Sequence, residues 1–382
     1  MKIAHLVPTL HPDAPEIGLV DLAGAAQDTG MELVVIALAS TSETSQVSAL
    51  QRLGVPVSEL GLGPWDPRAV GRTAQLIRDQ RVQLVHTHLP PADVVGAAAA
   101  LRNRLPAVST LHRIENLPAD RIDRFKRTAK ILARQRFMAR TIAISQVQRE
   151  WYRGLSGAGS AQNLVVVPNG VTDPGPVAPA ERQRRRSALG VGDGEVLAVS
   201  TAPMRRDQGH ELLLEALESL PDGLRLVVAL AGDGPLRPWL ESRVDASDDL
   251  TERVRFVHRH QEPTALLGAA DLVLHTARSG AAPTALLRAM AAGVPAVATR
   301  VGGVPEIVTA DTGVLVALHP AAITDALVAL TEDGARRERL GTAARERFLA
   351  EYEAIGWARR LHELYQEVLT PGRADLGEPQ PS

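Results

Sequence analysis

Cysteine is absent from the 382 residues. That excludes disulfides, thiolate nucleophiles and Cys-ligated metal, and it leaves the redox compartment open. Aromatic residues make up only 3%, so packing has to rest on Leu, Val, Ile and Ala. The formal net charge is −2, which gives no bulk attraction to nucleic acid. No apolar run approaches the roughly 20 residues that a membrane-spanning helix needs. The opening MKIAHLVPTL lacks the basic head and small-residue cleavage site of a signal peptide and reads as a first strand. These absences describe a soluble cytoplasmic protein. What is present is 45% hydrophobic residue, in a chain long enough for two domains of about 150–200 residues each.

Short β-rich runs alternate with helical stretches along the whole length. KIAHLV, ELVVIAL, LVHTH, AVSTLH, TIAIS and LVVVPNG read as strands in the first half. EVLAVST, LRLVVALAG, VRFVH, LVLHT, PAVATR and GVLVAL repeat the rhythm in the second. Amphipathic segments at 18–29, 67–80, 209–219, 234–243, 263–269 and 283–292 lie between them. Nearly continuous apolar strands separated by helices indicate parallel sheets covered on both faces. The spacing therefore predicts an α/β chain of two doubly wound, Rossmann-like domains, over 1–170 and 191–337. The Pro- and Gly-rich TDPGPVAPAE and the basic ERQRRR place a linker or hinge at 171–190, with 172–180 at its centre. A long helix is expected over 338–370, returning to the first domain. The polar tail 371–382 is expected to be disordered. Doubly wound domains bind ligands beyond the carboxyl ends of their strands, so two facing domains would form a cleft.

Eight segments point further. LVHTHLPPADVVG, STLH, TIAIS, VVVPNGV, DQGHELLLEAL, LAGDGPLRPWLE, GAADLVLHTA and APTALLRAMAAGVPAVATRVGGVPEIV occur in this order. Together they resemble the retaining family 4 (group 1) glycosyltransferases of the GT-B fold, over residues 1 to about 370. The resemblance implies a nucleotide-sugar donor on the second domain and an acceptor on the first. The acceptor is a saccharide, a lipid-linked or a small-molecule one; no metal and no resident cofactor are implied. Fixed cations would stabilise the leaving diphosphate, best in a site from which water is excluded.

The chain departs from the family pattern where that chemistry sits. In TAPMRRDQGH, Pro203 stands where the family has Arg, and Gln208 where it has Lys. Of the two Glu expected eight positions apart, Gly280 replaces the one at the donor sugar and Arg288 the one at the ribose. Asp13, Ala14 and Pro15 replace the Gly-rich turn near the phosphates. Losing two charge-assisted contacts would cost roughly 3–6 kcal/mol, or about 10²–10⁴ in donor affinity. Arg205, Arg206, Arg278 and Arg288 are the candidate replacements; solvated loop charges are the plain alternative for Arg205 and Arg206. Ala281, Ala282 and Pro283 complete the sugar-side turn. Gly232, Asp233 and Gly234 are expected at the nucleotide, with Gly234 opening a helix whose amides are free to face it.

In the first domain the resemblance implies that His112 lies near the reacting sugar. Glu16 matches an acidic family position and reads as a helix cap. His86 and His88 are read as structural, pointing to alternate sides of their strand, which would prevent them from sharing a metal. Residues 121–140 carry eight Arg and Lys among Ile122, Phe125, Ile131, Leu132, Phe137 and Met138. Such a helix can lie on a membrane surface, or simply bury its apolar side in its own domain. Three functions remain: sugar transfer with a rearranged donor grip, a degenerate GT-B protein acting as a binding or regulatory partner, and a GT-B epimerase.

Overall fold

A computed structural model describes residues 1–11, 18–41, 45–63, 65–115, 121–156, 163–257 and 263–370. Contacts divide the chain into two units, one of Met1–Pro168 with the segment from Ala354 onward, the other of Asn169–Glu353.

Unit 1 holds seven parallel strands: β1 (Lys2–Val7), β2 (Glu32–Ala37), β3 (Val57–Glu59), β4 (Leu84–His88), β5 (Ala107–Thr110), β6 (Arg140–Ala143) and β7 (Leu164–Val166), in the order β3-β2-β1-β4-β5-β6-β7. The central strands are buried on both sides, which is why they read as unbroken apolar runs. Alternate residues of β1 supply different layers. Ile3 and Val7 pack with Leu22 and with Trp357, Leu361 and Tyr365 of the last helix, Ala354–Leu369. Ala4 and Leu6 pack with Ile77 and Val95 on the opposite face. Gly96 lets the helix Pro90–Asn103 approach β4, since a Cβ there would lie 2.3 Å from the Thr87 methyl.

Unit 2 holds six parallel strands: β8 (Val196–Ser200), β9 (Leu226–Ala231), β10 (Val254–Val257), β11 (Leu272–His275), β12 (Ala296–Thr299) and β13 (Gly313–Val316), in the order β10-β9-β8-β11-β12-β13. The helices His210–Glu218 and Pro320–Glu332 cover one face, and Thr284–Ala291 and Gly334–Arg347 the other.

Two boundaries differ from the sequence expectation. The stretch 171–190 is fastened within unit 2. The Val171 amide donates to the Tyr352 carbonyl at 3.0 Å, Arg345 binds Asp173 at 2.6 and 2.7 Å, and Val177 covers Gly268. The helix expected over 338–370 is two helices. Gly334–Arg347 packs in unit 2, where Gly341 permits contact with the Gly293 carbonyl. A π-helical turn, Phe348–Tyr352, then ends in extended Glu353, and only Ala354–Leu369 belongs to unit 1. No Pro or Gly marks this break in FLAEYEAI; packing of Phe348 and Tyr352 into the unit 2 core imposes it. The tail 371–382 lies outside the described residues.

Candidate functional site

In unit 2 the strand order reverses between β8 and β11, whose following connections run to opposite sides. The loops after Ser200 and His275 meet there and are tied together by backbone. The Arg278 amide donates to the Asp207 carbonyl at 2.8 Å, and the Met204 amide to the Asp233 carbonyl at 2.8 Å. Gly209, at φ +70°, sits where a Cβ would be 1.9 Å from the Thr276 carbonyl. Gly232 and Gly234 approach the carbonyls of Ala202 and Met204 in the same way, and Gly302 that of Gly280. The Gly-rich motifs are thus explained by close contact between loops. Met204, fully buried, anchors the first loop from beneath.

The amides expected to face a nucleotide are engaged inside the protein. Gly234 N–H donates to the Asp233 carboxylate at 2.7 Å, Leu236 N–H to Met204, and Arg237 N–H to Gly234. The helix itself begins at Arg237 rather than at Gly234.

Around this edge, Arg205 is half-buried and faces Asp207 across 3.5 Å. Gln208 donates to the other Asp207 oxygen at 2.8 Å. Arg206 is exposed, and Arg278 lies 3.9 Å from Glu211. Pro203 is half-buried. Ala281 is buried, with Ala282 and Pro283 half-buried ahead of the helix Thr284–Ala291, and Arg288 sits half-buried in its second turn. At Gly280 a Cβ would meet nothing within 4 Å. Sequence reading missed Asp207, whose carboxylate sits among the cations, and the buried pair His210 and His275. Burial pushes both of these imidazoles down to about 4. Their position directly after Gly209 and at the end of LVLH was the available signal.

In unit 1 the histidines differ from expectation. Residues two apart on a strand share a face, so His86 and His88 point the same way, and His5, the register partner of His86 on β1, joins them. Ring centroids are 4.3 Å apart for His86 and His88, and 4.9 Å for His5 and His86. Ligand-capable nitrogens of all three lie within 4.8 Å of one another. The contacts are those of hydrogen bonds. His5 Nδ1 lies 2.9 Å from His88 Nε2, and His88 Nδ1 2.9 Å from His112 Nε2. Two ligands of one tetrahedral zinc would be about 3.3 Å apart. His86 is held separately, with Nδ1 2.6 Å from the Tyr365 hydroxyl and Nε2 2.7 Å from that of Thr110. Burial depresses these rings, His5 to about 3 and His86 and His88 well below the ordinary value. Directly after His88, Leu89 takes φ +71°, ψ 158°, a strained conformation for a side-chain-bearing residue.

On the other face Asp93 accepts from Thr87 (2.6 Å), Ser109 (2.7 Å) and Arg134 (2.6 Å). Arg134 is one of the basic residues of the helix Arg121–Phe137, so part of that charge serves to anchor the helix. Ala133 and Met138 are buried beside it, while Leu132 and Phe137 are exposed. The side chains of Ile122 and Phe125 lie outside the described set, as do Asp13, Ala14, Pro15 and Glu16.

Comparison with known proteins bears on this arrangement. Residues 16–173 match Glycosyltransferase Family 4 and residues 181–347 match Glycosyl transferases group 1. The chain belongs to the family 4, group 1 glycosyltransferases. A D-inositol 3-phosphate glycosyltransferase of Xylanimonas cellulosilytica is 28% identical over 394 residues, covering 94% of this chain and 93% of that protein. An N-acetyl-alpha-D-glucosaminyl L-malate synthase of Bacillus anthracis is 25% identical over 186 residues, 48% of this chain and 49% of that protein. Among solved structures, Anabaena HepE in complex with UDP-glucose superposes with a TM-score of 0.84 at 22% identity, covering 96% of this chain and 100% of that one. The glycosyltransferase fold is GT-B, built here from sheets of seven and six strands. Among the described residues no helix is long and apolar enough to cross a membrane.

Proposed function

We propose that this family member transfers a sugar from a nucleotide-sugar donor to its acceptor with retention, and that its donor grip is rearranged. The diphosphate is met by Arg205, Arg206, Arg278 and Arg288 instead of an Arg at 203 and a Lys at 208. The sugar and ribose contacts usual for Glu at 280 and 288 are missing. His112 is the residue at the reacting sugar. The observation that supports this reading is the backbone ties among the loops at the strand-order reversal of unit 2, which keep the shape of a donor site while its side chains have changed. HepE, with UDP-glucose bound, makes uridine sugars the first donors to test. Relatives named for D-inositol 3-phosphate and L-malate make small polyol phosphates and hydroxy acids the first acceptors.

Calorimetry with uridine and guanosine sugar nucleotides, together with release of free nucleotide in the presence of acceptors, tests the reading. Binding roughly 10²–10⁴ weaker than at a site with both cations, with slow but acceptor-dependent release, is expected. Micromolar affinity with steady turnover would show that the arginines fully rebuild the grip. A second reading, a partner protein that binds without turning over, is favoured by Asp207. Its carboxylate already occupies Arg205 and Gln208 and repels a diphosphate. Binding with no release across every donor and acceptor would select it.

A further inference from the structure

Two helices of unit 1, Arg68–Asp79 and Pro90–Asn103, end beside each other at the amino ends of β4 and β5. Asn103 fixes them together, its side-chain amide donating to the carbonyls of Ala74 (3.0 Å) and Ala99 (2.9 Å). Both helices close with the same turn. Arg81 N–H donates to the Arg78 carbonyl at 2.9 Å and Val82 N–H to that of Ile77 at 3.0 Å. Arg104 N–H donates to Leu101 at 3.1 Å and Leu105 N–H to Ala100 at 3.0 Å. Such a turn puts one residue in the left-handed conformation and normally takes glycine there. Here Arg81 and Arg104 adopt φ +55° and +57°, a strained choice for residues with a side chain. Every other positive-φ residue described is glycine, apart from Leu89. A groove of about 450 Å³ runs between the two turns, lined by Arg78, Arg81, Arg102 and Arg104, with Val82 and Leu105. Among the described residues none of these four guanidinium groups has a hydrogen-bond or ion-pair partner. The plain alternative is that they cap the helix dipoles. A helix C-terminus carries about half a negative charge, so two such ends offset about one of the four positive charges. Asp79, exposed in the same turn as Arg78, offsets one more. About two positive charges then remain around one concavity, more than capping requires.

We propose that this groove is an anion site built wholly from unit 1, which takes a soluble ligand carrying two or more phosphate groups. Each guanidinium offers a planar fork that grips a phosphate through two N–H groups, so four forks from two turns suit adjacent phosphates. The concavity has the size of small-molecule sites. Its apolar lining is buried or half-buried, so none of it is available to insert into a bilayer. His88 and His112 lie at or beyond the carboxyl ends of the same strands, and the groove does not rest on the proposed sugar transfer.

Titration calorimetry of the full chain with inorganic tripolyphosphate, at an ionic strength of about 0.15 M, tests this. Wild type should bind, and Arg205→Gln/Arg206→Gln should bind equally well. Arg81→Gly/Arg104→Gly should bind at least roughly 10-fold more weakly. Glycine suits both turns, so this variant should melt at or above the wild-type temperature while it loses the ligand. Should it fail to fold, Arg78→Gln/Arg102→Gln, which alters only helical positions, reads the same loss. No binding by the wild type overturns the proposal. So does displacement by sulfate at equal ionic strength, which would show attraction to charge alone. Binding kept by the glycine variant but lost in Arg205→Gln/Arg206→Gln would put the anion at the unit 2 edge, favouring the proposed donor grip and overturning the groove. Sedimentation with phosphatidylglycerol vesicles that needs Arg81 and Arg104, without tripolyphosphate binding, would assign the arginines to a membrane surface and overturn the soluble ligand. Absence of sugar transfer in every assay counts against the proposed function and leaves this result standing.

Discussion

Asp93 shows what one residue holds in place. It has no solvent exposure, yet it collects two hydroxyls and the guanidinium of Arg134, a residue 41 positions away and itself nearly buried. Removing one member of a buried pair strands the other, so Asp93→Ala should cost about 3–5 kcal/mol in urea unfolding. Replacing both members with apolar residues of similar size should cost much less. A loss below about 1 kcal/mol for the single change would show that the pair is solvated after all. None of this was legible in the sequence, where the basic helix reads as lying on a membrane surface or burying its apolar side, and nothing in the spacing links Asp93 to Arg134. Gly280 makes the opposite case. Its surroundings are open, so Gly280→Glu should change stability by no more than about 0.5 kcal/mol. Combined with Pro203→Arg, Gln208→Lys and Arg288→Glu, it should raise nucleotide affinity by roughly 10²–10⁴. Titration calorimetry on the quadruple variant checks this, and no gain would mean that loop shape as well as charge has drifted.

At the scale of elements, the loops at the edge of unit 2 depend on glycines that no other residue can replace. Gly209 combines a left-handed backbone with a contact that a Cβ would turn into a 1.9 Å clash with the Thr276 carbonyl. Gly209→Ala should therefore separate the loops after β8 and β11, costing at least about 1–3 kcal/mol, and lower donor binding with it. A melting temperature within a degree of wild type would contradict this. Twelve of the thirteen described strands were readable from their apolar runs; the short, partly exposed β3 was not, because VSE carries no such run. Helix ends were harder. GDGPLR suggests a start at Gly234, but backbone contact with Met204 defers it to Arg237. The histidines of β4 failed for a simpler reason: a separation of two residues places side chains on one face, and only the pairing with β1 brings His5 to them.

For the molecule as a whole, buried uncharged histidines set the response to acid. His5, His210 and His275 are pushed down to about 3, 4 and 4, against about 6.5 in an unfolded chain. The unfolded state therefore binds protons first. Stability is undiminished above pH 6.5 and falls as pH drops from there toward 4, by about 1.4 kcal/mol per pH unit for each such ring. Urea midpoints at pH 7, 6 and 5 should decline steadily, before the carboxylates titrate; a flat profile over this range would sink the expectation.

Unit 1 is written in two pieces, with all of unit 2 between Pro168 and Ala354. On the ribosome, unit 2 is complete in one uninterrupted stretch, whereas the first sheet must wait for the last helix. Until Trp357, Leu361 and Tyr365 emerge, the cluster of Leu19, Leu22 and Ala23 is incomplete and His86 has no tyrosine. The first part of the chain to be synthesised is thus the last to be finished, and its aggregation-prone interval lasts as long as translation of everything that follows it.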